Sequence, residues 1–305
     1  DVLREGERPD IVVIEFAVND EGDETKGVCY ESLVRKVLKL PWKPAVVLLF
    51  SVFANDWNLQ ERLRPVGDLY DLPMVSIRDA VTPQFSLKCG EGRILSKNQF
   101  FYDIFHPNNT GHTIMADCLQ YLFERCDAAE PARVGTFVEG MTEEQILSEK
   151  LSGPAVIGAD FERIFLLDKK NRYVGAKIRA GSFTSTDIEL QSVEMDGNLT
   201  QTPEFPYNWM YDGSRPQMPG FEMEITCKSL FLIFKDSGEM DVGKANVFVN
   251  DVYCMTADPH KNNWLHCNAV LLFWETESRS HKVRIAVTEE DRNKKFTILG
   301  FGYTI

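Results

Sequence analysis

The sequence predicts an α/β domain built on a parallel sheet, followed by an all-β domain, an antiparallel sandwich or jelly roll. Up to residue 128, runs with the character of buried strands alternate with runs of helical period. After Gly153, short runs rich in Val, Ile and Phe follow one another with no helical period between them. At 305 residues and 44% apolar content the chain is long enough for a core in each of two domains.

The first strand is read from Ile11 to Val18, apolar on both faces and closed by the turn pair Asn19-Asp20. Glu31 to Leu40 places Leu33, Val34, Val37 and Leu38 on one helical face before Pro41. Ala45 to Phe53 reads as a second buried strand, and Asn58 to Tyr70 as a helix broken at Pro65. Met74 to Ile77 makes a shorter strand, a loop follows, and Thr110 to Cys126 reads as a long amphipathic helix. We expect this domain over 1–128 and a linker over 129–153, in which the acidic stretch Met141 to Lys150 forms a surface helix or simply connects. The β domain is expected over 154–305. Its strands are read at Phe161–Leu167, Tyr173–Arg179, Phe221–Phe234, Ala245–Tyr253, Ala269–Trp274, Lys282–Val287 and Phe296–Tyr303, with Thr288–Lys295 as a hairpin turn.

Composition narrows the function. Lys and Arg number 33 against 46 Asp and Glu, a net charge of −13, so a nucleic acid would meet net repulsion and is not expected as a partner. The longest apolar stretch, Ala45 to Ala54, falls far short of the roughly 20 residues of a spanning helix, and no membrane partner is expected. The seven cysteines (Cys29, Cys89, Cys118, Cys126, Cys227, Cys254, Cys267) contain no CxxC pair, which suits free thiols in a reducing cytoplasm. No glycine-rich phosphate cradle follows a strand, so no cofactor is expected. Asp236, Glu239 and Asp241 offer oxygen ligands in one loop, but their spacing is not that of an EF-hand, and we expect no metal.

The residues that carry chemistry sit where strand ends meet helix starts. In an open parallel sheet that is the working edge. Asn19 follows the first strand, and Asp103-Ile104-Phe105-His106-Pro107-Asn108 lies just ahead of the last helix of the domain. An Asp three residues before a His can accept the Nδ1 proton and leave Nε2 as a general base. Pro107 stiffens the chain after the base, and Asn109 or Thr110 can cap the helix that anchors it. His112 reads as a helix-start residue, and Ser51, Ser76 and Ser96, without a glycine-rich elbow, as structural serines.

With these two blocks the chain resembles the SGNH, or GDSL-type, hydrolases over roughly its first 125 residues. Phe16-Ala17-Val18-Asn19-Asp20 is similar to the family's third block, with Ala17 where the family usually has Gly, and the Asp103 to Asn108 block is similar to its fifth. The resemblance implies a flavodoxin-like three-layer sandwich and acyl transfer, with His106 as base, Asp103 orienting it and Asn19 donating to the oxyanion. The family's Gly-Asp-Ser block and its oxyanion Gly precede the third block. Neither occurs here: Gly22-Asp23 continues with Glu24 and Gly67-Asp68 with Leu69, both after Asn19. The chain is therefore expected to be the later part of a longer protein, with the nucleophilic Ser on a companion segment or chain.

The loop Pro203 to Gly213 gathers Phe205, Tyr207, Trp209 and Tyr211 between prolines, and Tyr207 and Trp209 are candidate stacking residues for a sugar. Trp57, after the second strand, is a candidate wall of the substrate site. Such a hydrolase followed by a β-sandwich resembles carbohydrate esterase family 17, which implies a family 35-like carbohydrate-binding module and an acetylated oligo- or polysaccharide, β-mannan among them, as substrate. The alternative reading is a carbohydrate-binding or scaffold protein whose hydrolase half has decayed.

Overall fold

The computed structural model describes residues 8–20, 22–128, 141–189, 205–263 and 265–305. The chain divides into two compact units, Val2–Glu162 and Arg163–Ile305. Residues 129–140 of the expected linker and Pro203 and Glu204 of the aromatic loop lie outside the described residues.

The first unit carries a parallel sheet of β1 (Ile11–Glu15), β2 (Ala45–Phe50) and β3 (Met74–Ser76) in that order. Period-two side chains divide β2 between two faces. Val46, Leu48 and Phe50 pack with Ile14 against α1 (Val28–Leu38) and α2 (Gln60–Tyr70). Val47, Leu49 and Val75 face the other way, toward α3 (Ile77–Ser86), Phe100 and Phe101 of the short α4 (Lys97–Phe100) and its end, and the long α5 (Asn109–Asp127). Helices thus cover both faces of the sheet.

Several boundaries move from where the sequence puts them. β1 ends at Glu15 rather than Val18, because the Glu15 carboxylate accepts the Ala17 N–H and turns the chain. Pro65 does not break α2: the helix runs through it from Gln60 to Tyr70, and the intrahelical bond forfeited is the one from its own missing N–H. α3 occupies what reads as loop, its start capped by Ser76 Oγ, which accepts the Asp79 N–H at 3.0 Å. α5 is capped by Asn108, not Asn109 or Thr110: its Oδ1 accepts the Gly111 N–H at 3.0 Å.

The unit extends past the expected linker. α6 (Glu143–Ser152) contributes Leu147 and Leu151 to the core below α1 and α2. Beyond it, the buried Glu31 of α1 accepts the N–H groups of Val156, Ile157 and Gly158 and the Tyr70 hydroxyl. Arg35 donates to Glu162 and to the Leu151 carbonyl. These bonds fasten residues 151–162 to the α/β unit, so the boundary falls after Glu162 instead of after Gly153.

The second unit is built on antiparallel pairs in the order β4 (Phe165–Leu167), β11 (Phe296–Thr304), β7 (Phe221–Asp236), β10 (His266–Val287), β8 (Ala245–Val249), β9 (Val252–Ala257). β5 (Ala176–Arg179) pairs with β7, and β6 (Trp209–Tyr211) with β11. The run Ala245–Tyr253 is two strands, because Asn250 and Asp251 both take positive φ and close a two-residue hairpin. The runs Ala269–Trp274 and Lys282–Val287 are one long strand with an irregularity between Trp274 and Arg279. Thr288–Lys295 is no hairpin: β10 and β11 lie on opposite sides of β7.

Candidate active site

β1 and β2 are in parallel register, Glu15 beside Leu49, so the turns that leave them emerge at one edge. Asn19 stands exposed on the turn after β1. Trp57 follows β2, half-buried on the core. The two turns are joined, since the Leu59 N–H donates to the Ala17 carbonyl at 2.8 Å and the Glu15 carboxylate accepts the Ser51 N–H at 3.3 Å.

The His106 loop comes to the same edge. Its ends are closed by the Tyr102 N–H donating to the His106 carbonyl and the Asn108 N–H to the Phe100 carbonyl. At Gly111 a Cβ would stand 2.3 Å from the Phe100 oxygen, so only glycine lets the first turn of α5 pack this closely behind the loop. The Ala54 N–H donates to the Ile104 carbonyl at 2.9 Å, tying the loop to the turn that carries Trp57.

Within the loop, Asp103 Oδ2 lies 2.9 Å from His106 Nδ1, and Oδ1 accepts the N–H groups of Phe105 and His106, each at 2.7 Å. The hydrogen bond with His106, joined by those backbone donors, holds the Asp103 carboxyl below the usual carboxylate range. A carboxylate facing Nδ1 fixes the tautomer with the proton there and leaves Nε2 to accept one. The imidazole is 60% exposed, open to a reactant.

Reading the sequence missed the rings around this histidine. Tyr102 stacks on the imidazole with centroids 5.5 Å apart and planes 11° from parallel. Phe105 meets Phe53 edge to face at 5.2 Å, and Phe53 stacks on Trp57 at 5.6 Å. Two of these rings lie inside the Asp103–His106 block or beside it, which was the available signal.

The acids near Asn19 were missed too. Burial, with Asp23 and Glu15 nearby, pushes the Asp20 carboxyl up to about 6 against the pull of Arg62. Burial likewise raises Glu15, in spite of the N–H groups of Ala17 and Ser51 that it accepts. The serines are each engaged: Ser51 is bonded to Glu15 of β1, Ser76 Oγ donates to Gln60 Oε1 of α2, and Ser96 caps α4 with Gln99. His112 stands exposed in the first turn of α5.

The two aromatic candidates of the second unit part company. Trp209 is only 4% exposed, packed at 5.3 Å from Phe221 and 6.1 Å from Phe301, and belongs to the core of that unit rather than to a sugar platform. Tyr207 is exposed, with Lys170 Nζ 5.0 Å from its ring centroid. Among the described residues, no group of three His, Cys, Asp or Glu side chains is placed to hold a metal ion, and no helix is long and apolar enough to cross a membrane. Asp236 turns inward to Asn262 and Asn268, and Asp241 pairs with Lys295.

No protein-family model matches the chain, and a search of curated proteins finds no match. Among solved structures, it is similar to a two-domain esterase active on acetylated mannans, in two crystal structures. The one co-crystallised with mannopentaose matches with a TM-score of 0.69 and 21% identity, over 97% of this chain and 73% of that one. The other matches with a TM-score of 0.69 and 20% identity, over 98% of this chain and 74% of that one. Over almost its whole length, this chain has the fold of a two-domain esterase.

Proposed function

We propose that the protein is a serine esterase of the SGNH class that removes acetyl groups from a carbohydrate, with β-mannan or its oligosaccharides as the leading substrate. The α/β unit is the hydrolase and the β unit a jelly-roll, carbohydrate-binding-like module. The observation that carries this reading is the oriented imidazole: Nδ1 held by Asp103, Nε2 free, the ring open to a reactant at the carboxyl edge of a parallel sheet. The solved neighbour's action on acetylated mannans supports the substrate class.

In this reading a serine hydroxyl attacks the acetyl carbonyl while His106 Nε2 takes its proton. The tetrahedral oxyanion accepts from the Asn19 side-chain amide, and the imidazolium then gives its proton to the departing sugar hydroxyl. Water, deprotonated by the same histidine, releases acetate from the acyl-serine. Asp103 stabilises the imidazolium in both half-reactions without itself taking the proton.

We place the nucleophile on a segment or companion chain beside β1. Among the described residues β1 pairs with β2 alone, and Ile11 and Val13, on the face of Val47, stay exposed. An apolar strand with a free edge invites another strand. The test is labelling of the full-length protein with a fluorophosphonate, followed by peptide mapping. A single labelled serine outside residues 1–305, lost in His106→Ala, is expected. Labelling of Ser51, or of no serine, would contradict the assignment.

A further inference from the structure

Three aromatic rings run from the turn 53–57 to His106, and their arrangement is fixed by backbone bonds. The turn 53–57 closes on itself through the Phe53 N–H to the Trp57 carbonyl and the Asp56 N–H to the Phe53 carbonyl. Asp56 takes a positive φ of 68° at its tip. The Ala54 N–H to Ile104 carbonyl bond then locks this turn to the catalytic loop. Trp57, Phe53 and Phe105 therefore form a continuous strip that ends at the imidazole, Phe105 lying 6.2 Å from it.

Phe105 is 54% exposed, an arrangement that leaves apolar ring surface in water with its conformational freedom already spent. Beside the strip stand Asp56 and Lys97, paired at 3.1 Å and each a little under half exposed. The Lys97 ammonium also donates to the Ala54 carbonyl, which holds it at the rim. An aromatic face with a carboxylate and an ammonium at its edge matches a pyranose, whose C–H face is apolar and whose rim carries hydroxyls. A net charge of −13 disfavours an anionic sugar or lipid there.

We propose that Trp57, Phe53 and Phe105, rimmed by Asp56 and Lys97, form a subsite for an uncharged pyranose ring next to the one that bears the scissile acetyl group. The proposal rests on the esterase reading above. It places a specificity determinant for glycan esters in the α/β unit itself, independent of Tyr207 in the β unit.

The test is inhibition by mannopentaose of the full-length protein's hydrolysis of a small alkyl acetate, which reports occupancy of the catalytic site alone. Mannopentaose is expected to compete with the acetate. Phe105→Ala, at an exposed position where folding is not at stake, and Trp57→Ala are each expected to raise the inhibition constant about tenfold, the worth of one aromatic contact. Phe105→Tyr, which keeps the ring, is expected to stay within about threefold. Hydrolysis with no competition, or an inhibition constant indifferent to Phe105→Ala, would overturn the subsite while leaving the esterase reading standing. Absence of any hydrolysis by the wild type would overturn the esterase reading and this proposal together.

Discussion

Asp103 holds His106 three ways: its carboxylate meets the ring at Nδ1 and also accepts the N–H groups of His106 and of the preceding Phe105. One side chain thus sets both the tautomer of the imidazole and the shape of the loop that presents it. Asp103→Asn keeps the size but can offer an N–H where the ring needs an acceptor, so the tautomer is no longer fixed. We expect kcat to fall about 10³–10⁴-fold, as for the equivalent change in a catalytic triad, with a circular-dichroism melt close to wild type.

In the proposed mechanism Asn19 acts on the other side of the carbonyl. On that reading Asn19→Ala removes one oxyanion donor from an exposed turn and leaves the buried Ala17 untouched. The expected loss is about 10²–10³-fold in kcat, with little change in thermal midpoint; an unaltered kcat would remove Asn19 from the oxyanion site.

Glu31 governs stability rather than chemistry. Its buried carboxylate satisfies three backbone N–H groups of residues 156–158 and the Tyr70 hydroxyl. Glu31→Ala strands all four donors, and a loss of at least about 3 kcal/mol is expected in urea unfolding.

The pH dependence of stability should carry a mark from Asp20. Its carboxyl rises from 3.8 to about 6 on folding, so between those values the folded protein binds a proton that the unfolded chain has released. Stability contributed by that proton is present at low pH and is lost as pH climbs through about 6. Asp20→Asn is expected to raise the Tm at pH 8 by about 2 °C, a small figure because the group is half open to solvent, and to leave it unchanged at pH 4. A variant that melts lower at pH 8 would show Asp20 to be favourably paired instead.

Trp209 and Tyr207 illustrate what a sequence can and cannot tell. Both sit in one aromatic loop and look equally suited to a sugar, yet Trp209 lies on β6 with its ring between Phe221 and Phe301. Trp209→Ala should therefore cost about 3–5 kcal/mol of stability, whereas Tyr207→Ala should cost little.

The same limit runs through the fold. β1, β2 and β3 were legible because uninterrupted β-branched and aliphatic runs have one good solution, and β11 for the same reason. α3 was hidden by Pro83 and by polar Thr82 and Gln84, whose place in the helix depends on Val81 and Ile77 packing on the sheet. The join of β10 was hidden by its polar stretch from Glu275 to His281, on either side of whose irregularity the strand keeps pairing with β7. In the site, the Asp103–His106 pair was readable because three residues of one chain fix its geometry. The Phe53–Phe105 contact was not, since it joins two loops that only the folded sheet brings together.

The most direct test of the central claim is acetate release from acetylated manno-oligosaccharide by the full-length protein, measured beside His106→Ala. The account expects steady turnover by the wild type and a loss of at least about 10³-fold in the variant with its melting curve intact. Equal rates from the two proteins, or no acetate from either, would contradict it.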